Sequence, residues 1–426
     1  RTILPSDYFN VVTWQGTGTS KYVGEVGFRP DFVWIKAMDS IPHNHILIDS
    51  SRGLNSILNS NNDSTEQYGS APPYPAITSF TNDGFYLLDS NIDVNQLDST
   101  YVAWCFKASG GVETTNNEGT TESQVQASQD SGFSIVRWDG EEGVTTVGHG
   151  LSSAPELILI KSLTETGDWV VYSKPTGNKN VLYLNKSEGA RRVRVSQSQD
   201  ISTWDNISPT NKFFTINDTG MGNNVIAYCF HSVEKVSKIS LYTGTGDDLE
   251  QFIDTGFEPA FVLIKRTTGD GHWRMYDNKR GSTGANPYNG NRKTLYANSN
   301  DSEDVGELEI RFLSNGFEVG PGDHVNTSGV SFIYMAFANT PDTRTPRLPN
   351  SFHTVKYTGT GDYPNSSLLT VPVGFNPGLV WIKGTGPFAG GTSLTFHCLI
   401  DSIRGPEWIL NSNNNYTPDL PQTNAV

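Results

Sequence analysis

Four positions in this 426-residue chain place an aromatic ring four residues before a small polar or acidic side chain: His45 and Asp49, Trp169 and Ser173, Trp273 and Asp277, His397 and Asp401. Residues four apart on a strand share a face, so each ring and its polar partner look the same way. Rings beside carboxylates are what a sugar site needs, the ring for stacking and the acid for hydroxyl hydrogen bonds. His45, Asp49, Trp169, Trp273, Asp277, His397 and Asp401 are therefore the candidate carbohydrate-binding residues. The competing expectation is plain packing, because a ring present in every copy is usually core.

Other chemistry is thinner. Glu307 and Glu309 alternate on one strand face, as a paired acid and base would, but only once in the chain; glycoside hydrolysis needs two carboxylates across a cleft, and a solvated face is the simpler reading. His43 and His45 have zinc-like spacing, yet position 45 alternates with Trp and so behaves as an aromatic plate. Calcium fits the acidic balance and turns such as Asp247-Asp248 and Asn300-Asp301, although none matches a calcium loop. No catalytic residue and no cofactor are assigned. Asp49-Ser50-Ser51-Arg52-Gly53 returns as Asp401-Ser402-Ile403-Arg404-Gly405 and, loosened, at Asp277 to Gly281. An Arg this close to an Asp is expected to pin a loop by a charge-assisted hydrogen bond.

The elements holding these residues recur. Gly27 to Lys36 (GFRPDFVWIK) comes back as Gly150 to Lys161, Gly256 to Lys265 and Gly374 to Lys383, with Pro30, Pro155, Pro259 and Pro377 spaced 125, 104 and 118 residues apart. Each copy has a Gly turn, a Pro that keeps the preceding residue extended, four apolar residues and a Lys. That is a short strand buried on both faces. Before it runs a strand ending in an aromatic, a spacer and a Gly: Trp14 to Gly16, Trp138 to Gly140, Tyr242 to Gly244 and Tyr357 to Gly359. After it come an Asn-Ser-Asn turn at 59–61, 298–300 and 411–413, and an aromatic-rich closing strand at Tyr101 to Phe106, Val225 to Phe230 and Phe332 to Phe337.

Short evenly spaced strands and polar turns predict an all-β chain of tandem antiparallel β-sandwich modules. The modules fall at 8–110, 132–233, 237–340 and 351–426. A polar linker is expected at 111–131 and a stiff Pro-rich one at 341–350. Only Val233 to Val236 joins modules two and three, which should pack as a rigid pair. Module four reaches Val426 before any closing strand, so four copies are expected with the last incomplete.

Composition excludes some partners. The formal net charge of −15 opposes phosphate-backbone binding, which depends on basic patches. No apolar run approaches the ~20 residues that span a bilayer. Cys105 and Cys229 occupy the same slot in separate modules, so they read as buried apolar residues of a protein folded in a reducing cytoplasm.

The succession GFxPDFVWIK, DSxRG, SNxxGF and TYVAWCFKA resembles repeat modules of marine and cyanobacterial phage tail and fibre proteins, of the concanavalin A-like lectin/glucanase (LamG-like) kind. The resemblance extends over most of the chain, with module two departing at DSxRG. It implies concanavalin A-like or jelly-roll sandwiches in a non-enzymatic virion protein, assembled in the host cytoplasm. The expected partners are other virion subunits, further copies of the chain and a host-surface glycan. A polysaccharide depolymerase and a capsid decoration protein are the alternatives.

Overall fold

A computed structural model describes residues 3–39, 42–68, 76–89, 91, 93–192, 203–218, 220–246, 251–280, 291–320, 323–340, 355, 377–383, 397–401 and 410–411. Among these the architecture is all-β and antiparallel; the helical elements are the short turns Pro5–Asp7 and Asp323–Asn326. The chain divides into two compact units, Arg1–Thr340 and Pro341–Val426.

The first unit contains one sheet arrangement three times. Module one orders its strands Phe9–Gln15, Thr100–Phe106, Phe32–Ala37 and Ile46–Asp49: opening, closing, Pro-led and ring-bearing. Module two repeats that order with Phe133–Trp138, Val225–Phe230, Leu157–Ser162 and Val170–Ser173. Module three does so with Ser237–Thr243, Ser331–Ala338, Pro259–Arg266 and Arg274–Asp277. A second layer covers one face of each: Lys21–Val23, Gly84–Leu87 and Ile77–Thr81 in module one, Gly143–Gly148 with Phe213–Asp218 in module two, and Gln251–Asp254, Gly316–Val319 and Asp304–Leu313 in module three. The Gly leading each Pro-led strand has a left-handed backbone, with φ of 87° at Gly27, 71° at Gly150 and 83° at Gly256. Only glycine takes that turn without cost.

The Pro-led strands are buried along nearly their whole length, and alternation explains why both faces can be apolar. Val33, Ile35 and Ala37 point into module one's own core with Trp14, Phe85 and Tyr101. Ile158 and Ile160 do the same in module two, and Val262 and Ile264 in module three. The opposite faces, Phe32 and Trp34, Leu157 and Leu159, Phe261 and Leu263, all enter a single further core shared by the three modules. At its centre the closing strands each contribute one Phe. Phe106 lies 5.9 Å from Phe230 and 5.3 Å from Phe337, and Phe230 lies 6.3 Å from Phe337, centroid to centroid. The modules are therefore not beads on a string.

The stretch 111–131, expected as a linker, carries the strands Thr114–Asn116 and Ser123–Ser128, which extend module two's sheet beside Phe133–Trp138. Polar composition does not exclude a strand here, because buried Ser123 Oγ donates to the Gly148 carbonyl at 2.7 Å. The Pro-rich stretch 341–350 lies outside the described residues. In the second unit, Leu379–Lys383, His397–Asp401 and Leu410–Asn411 form a three-stranded antiparallel sheet.

A core common to three modules should make them melt together. Phe106→Ala removes a ring from the centre and is expected to cost about 3–5 kcal/mol. Calorimetry should show one cooperative transition for the first unit moving down in temperature; a shifted module-one transition beside two unmoved ones would contradict the shared core.

Candidate functional site

The expected sugar-binding rings are inside the molecule, at the seams between modules. His45, Asp49 and Trp169 have no exposed surface, and Trp273 and Asp277 expose 1%. The carbohydrate assignment at these positions is thereby corrected: the face that would meet a sugar meets a neighbouring module.

Each ring donates one hydrogen bond across a seam, and the bonds run in a circle. Trp169 Nε1 of module two donates to the Asn59 carbonyl of module one at 2.8 Å. Trp273 Nε1 of module three donates to the Tyr183 carbonyl of module two at 2.8 Å. His45 Nε2 of module one lies 2.9 Å from the Tyr296 carbonyl of module three. The tautomer follows from its other nitrogen: Trp34 Nε1, which can only donate, reaches His45 Nδ1 at 2.9 Å, so Nε2 carries the proton. Burial holds His45 well below its ordinary pKa, which keeps it neutral for this role. Asn61, Asn185 and Asn298 hold the three rings in place by accepting from the backbone N–H of His45, Trp169 and Trp273.

The Lys ending each Pro-led strand follows the same circle. Lys36 Nζ donates to the Asn300 carbonyl at 3.4 Å, Lys161 Nζ to that of Asp63 at 3.3 Å, and Lys265 Nζ to that of Ser187 at 2.6 Å. Burial lowers Lys36 and Lys161 to about 8 and Lys265 to about 7. In the sequence these lysines are marked only as the end of each Pro-led strand. Their recurrence at one register position was the available signal.

The Asp-Arg pairs complete two of the three seams. Asp49 Oδ2 binds Arg52 Nε at 2.6 Å and accepts from Tyr228 Oη of module two at 2.7 Å. Asp277 Oδ2 binds Arg280 Nε at 2.6 Å and accepts from Trp104 Nε1 of module one at 3.2 Å. Backbone N–H groups of Ser51 and Arg52, and of Lys279 and Arg280, occupy the other carboxylate oxygens. Glu66 and Glu303 each take a second nitrogen of Arg52 and Arg280 at 3.1 Å. Burial is the largest influence on Arg52 and opposes its charge, but Asp49, Tyr228 and Glu66 together outweigh it and the guanidinium is held more firmly protonated than usual. Loop pinning by Arg, expected from the spacing, is thus joined to intermodule contact.

At the third equivalent position the chain has Ser173 for the aspartate and Met335 for the ring donor, opposite Leu263 as Trp104 is opposite Trp34. Donor and charge are lost together. Removing only one member would leave a buried acceptor short of its donor or a buried donor without an acceptor, at about 1–3 kcal/mol, so module two's departure from DSxRG is matched by module three's closing strand. Among the described residues, buried Ser173 Oγ has no hydrogen-bond partner.

Other candidates are also engaged. Glu309 is buried and binds Arg274 Nη1 at 2.6 Å, Thr294 Oγ1 at 3.0 Å and the Tyr276 hydroxyl; the side chain of Glu307 and the Asp247-Asp248 turn lie outside the described residues. His43 Nδ1 faces Asp93 at 3.1 Å. Among the described residues no group of three or more His, Cys, Asp or Glu could hold a metal ion. Cys105 and Cys229 are free and buried in separate module cores, their thiols pushed up by burial. A polar cavity of about 220 Å³ opens beside Arg52 and Arg137, whose charges are met by Glu66 and Glu113. In the second unit His397 and Asp401 share a strand, and His397 Nδ1 accepts from Trp381 Nε1 at 3.0 Å.

Fold and site together define a closed, three-module all-β assembly whose repeated polar residues join its parts. The profile of a family described as a domain of unknown function (DUF7483) matches residues 4–341, and the chain belongs to that family. The match takes in all three modules and stops where the second unit begins. No curated protein matches the chain.

Two expectations follow. The pairs Trp34/His45, Leu159/Trp169 and Leu263/Trp273 occupy equivalent places, so Trp34→Leu or His45→Trp alone should each cost about 1–4 kcal/mol by cavity or overpacking. The double variant should recover at least about 1 kcal/mol of the summed loss, read by denaturant unfolding; strict additivity would contradict the equivalence.

The second concerns pH. His45 titrates lower in the fold than when unfolded, so below pH 6.5 the unfolded chain binds more protons and stability falls with falling pH. The three lysines are also lowered, so between about 7 to 8 and their unfolded value of 10.5 the unfolded chain again holds more protons. Above about pH 9 the two buried thiols act the other way. Unfolding midpoints should rise from pH 5 to pH 9, and the double variant should have a shallower acid-side slope, the remainder being carried by His149 and His272, which burial also lowers. A midpoint constant across this range would contradict the buried neutral groups.

Proposed function

We propose that the chain is a non-enzymatic structural protein of a virus particle, part of a phage tail, fibre or surface appendage. On this reading its modules are concanavalin A-like or jelly-roll sandwiches in four copies, assembled in the host cytoplasm beside other virion subunits. One observation carries the architectural half: the polar residues that recur from module to module are spent on holding modules together. Repeated active or binding sites would keep those positions open. The virion half rests on the motif resemblance.

A second reading, adhesion to a host-surface glycan, is favoured by the outer sheet of module one. Tyr22 and Tyr86 oppose each other across two strands, 4.9 Å apart and 42% and 43% exposed, as a stacking platform for a sugar ring would be. The depolymerase reading has less support, because Glu309 is held by Arg274 and Tyr276 in module three's interior. The capsid decoration alternative shares the architectural observation and differs only in location.

Purified particles decide the matter. The protein should copurify stoichiometrically through a high-salt wash, and labelled antibody should decorate the tail or fibre. Recovery only in the soluble fraction of lysed host cells would contradict the proposal. For adhesion, Tyr22→Ala with Tyr86→Ala should weaken particle adsorption up to about tenfold per ring while leaving the unfolding midpoint unchanged; unaltered adsorption would remove the second reading.

A further inference from the structure

The second unit repeats the seam-forming sheet of module one in the same register. Leu379 opposes Asp401, Trp381 opposes Leu399 and Ile382 opposes Cys398; in module one Phe32 opposes Asp49, Trp34 opposes Leu47 and Ile35 opposes Ile46. Leu399 faces Leu410 as Leu47 faces Leu58. The Trp381 to His397 hydrogen bond of 3.0 Å reproduces the Trp34 to His45 bond of 2.9 Å.

Burial is where the two differ. Phe32 and Trp34 expose 0% and 2%, whereas Leu379 and Trp381 expose 58% and 62%. Ile400, which corresponds to Ile48 on the face turned to a module's own interior, is 6% exposed. The outward face is therefore the one that the three internal modules bury in their common core. In each of those modules, residues of two sister modules cover it.

The fourth module also carries both halves of the seam. Its ring and lysine, His397 and Lys383, stand where His45 and Lys36 donate to a neighbour. Asn411 stands at the position whose carbonyl, in Asn59, Tyr183 and Tyr296, receives the neighbour's ring. A surface with donor and acceptor on different edges makes head-to-tail contacts, and such contacts give a closed ring when the rotation closes. In the first unit it closes after three modules.

We infer that the fourth modules of three copies of this chain pack around a threefold axis, with the face that carries Leu379 and Trp381 turned inward, as the corresponding faces of the three internal modules are. This deepens the architectural reading and rests on it. Its failure would appear as a wrong chain mass, whereas failure of that reading would appear as absence from the particle.

The test is the mass of the full chain in solution by light scattering after size exclusion, at concentrations up to tens of micromolar. Wild type should have three times the 46.7 kDa of one chain. Trp381→Glu and Leu379→Glu should each return it to a single chain while the thermal transition of the first unit stays in place. Leu97→Glu, at a 63% exposed position of the first unit, should leave the trimer intact. A single-chain mass at every concentration overturns the inference. Any other mass overturns it too, as does a trimer that survives both glutamates.

Discussion

A strand that is apolar on both faces must be covered twice, and among the described residues each module of the first unit has one covering layer of its own. Everything else in the first unit follows from how the second face is closed. Phe32 and Trp34, Leu157 and Leu159, Phe261 and Leu263 turn away from their own module cores and into one another's company. Burying a large side chain stabilises by about 1.5–3 kcal/mol, so leaving three such faces in water would undo much of what each small sandwich gains. The threefold arrangement removes all three faces at once.

Apolar packing alone does not fix which edge meets which. That selection falls to the polar groups: one ring nitrogen and one lysine from each module reach carbonyls of the next, always in the same direction. Buried donors without acceptors cost about 1–3 kcal/mol each, so a reversed or slipped arrangement is penalised at every seam. The aspartate-arginine pairs reinforce two seams and are absent, donor and acceptor together, from the third. That asymmetry distinguishes the three interfaces and gives the chain a preferred order around the ring.

Much of this was legible in the sequence. Four apolar residues in a row between a Pro and a Lys indicated two-sided burial, and the ring at positions 45, 169 and 273 was identified as repeated. The same two facts, taken together, place the rings beneath something; what lay above them required contacts between residues about 110 to 250 apart, such as Trp169 with Asn59 and His45 with Tyr296, and no local pattern encodes those. The stretch 111–131 reads as a linker by its polar composition, yet a strand paired on both sides can be polar where its hydroxyls find carbonyls, as Ser123 Oγ does. Trp104 and Tyr228 are legible only as closing-strand aromatics, while their hydrogen bonds to Asp277 and Asp49 join partners 173 and 179 residues away.

Native-state hydrogen exchange tests the shared core most directly. The account predicts that the central amides of the three closing strands, Thr100–Phe106, Val225–Phe230 and Ser331–Ala338, exchange with one common opening free energy and follow the same denaturant dependence, because no module can open its inner face without exposing the others. Three distinct free energies, with one strand exchanging while its counterparts remain protected, would mean that the modules are independent domains in contact and would contradict the account.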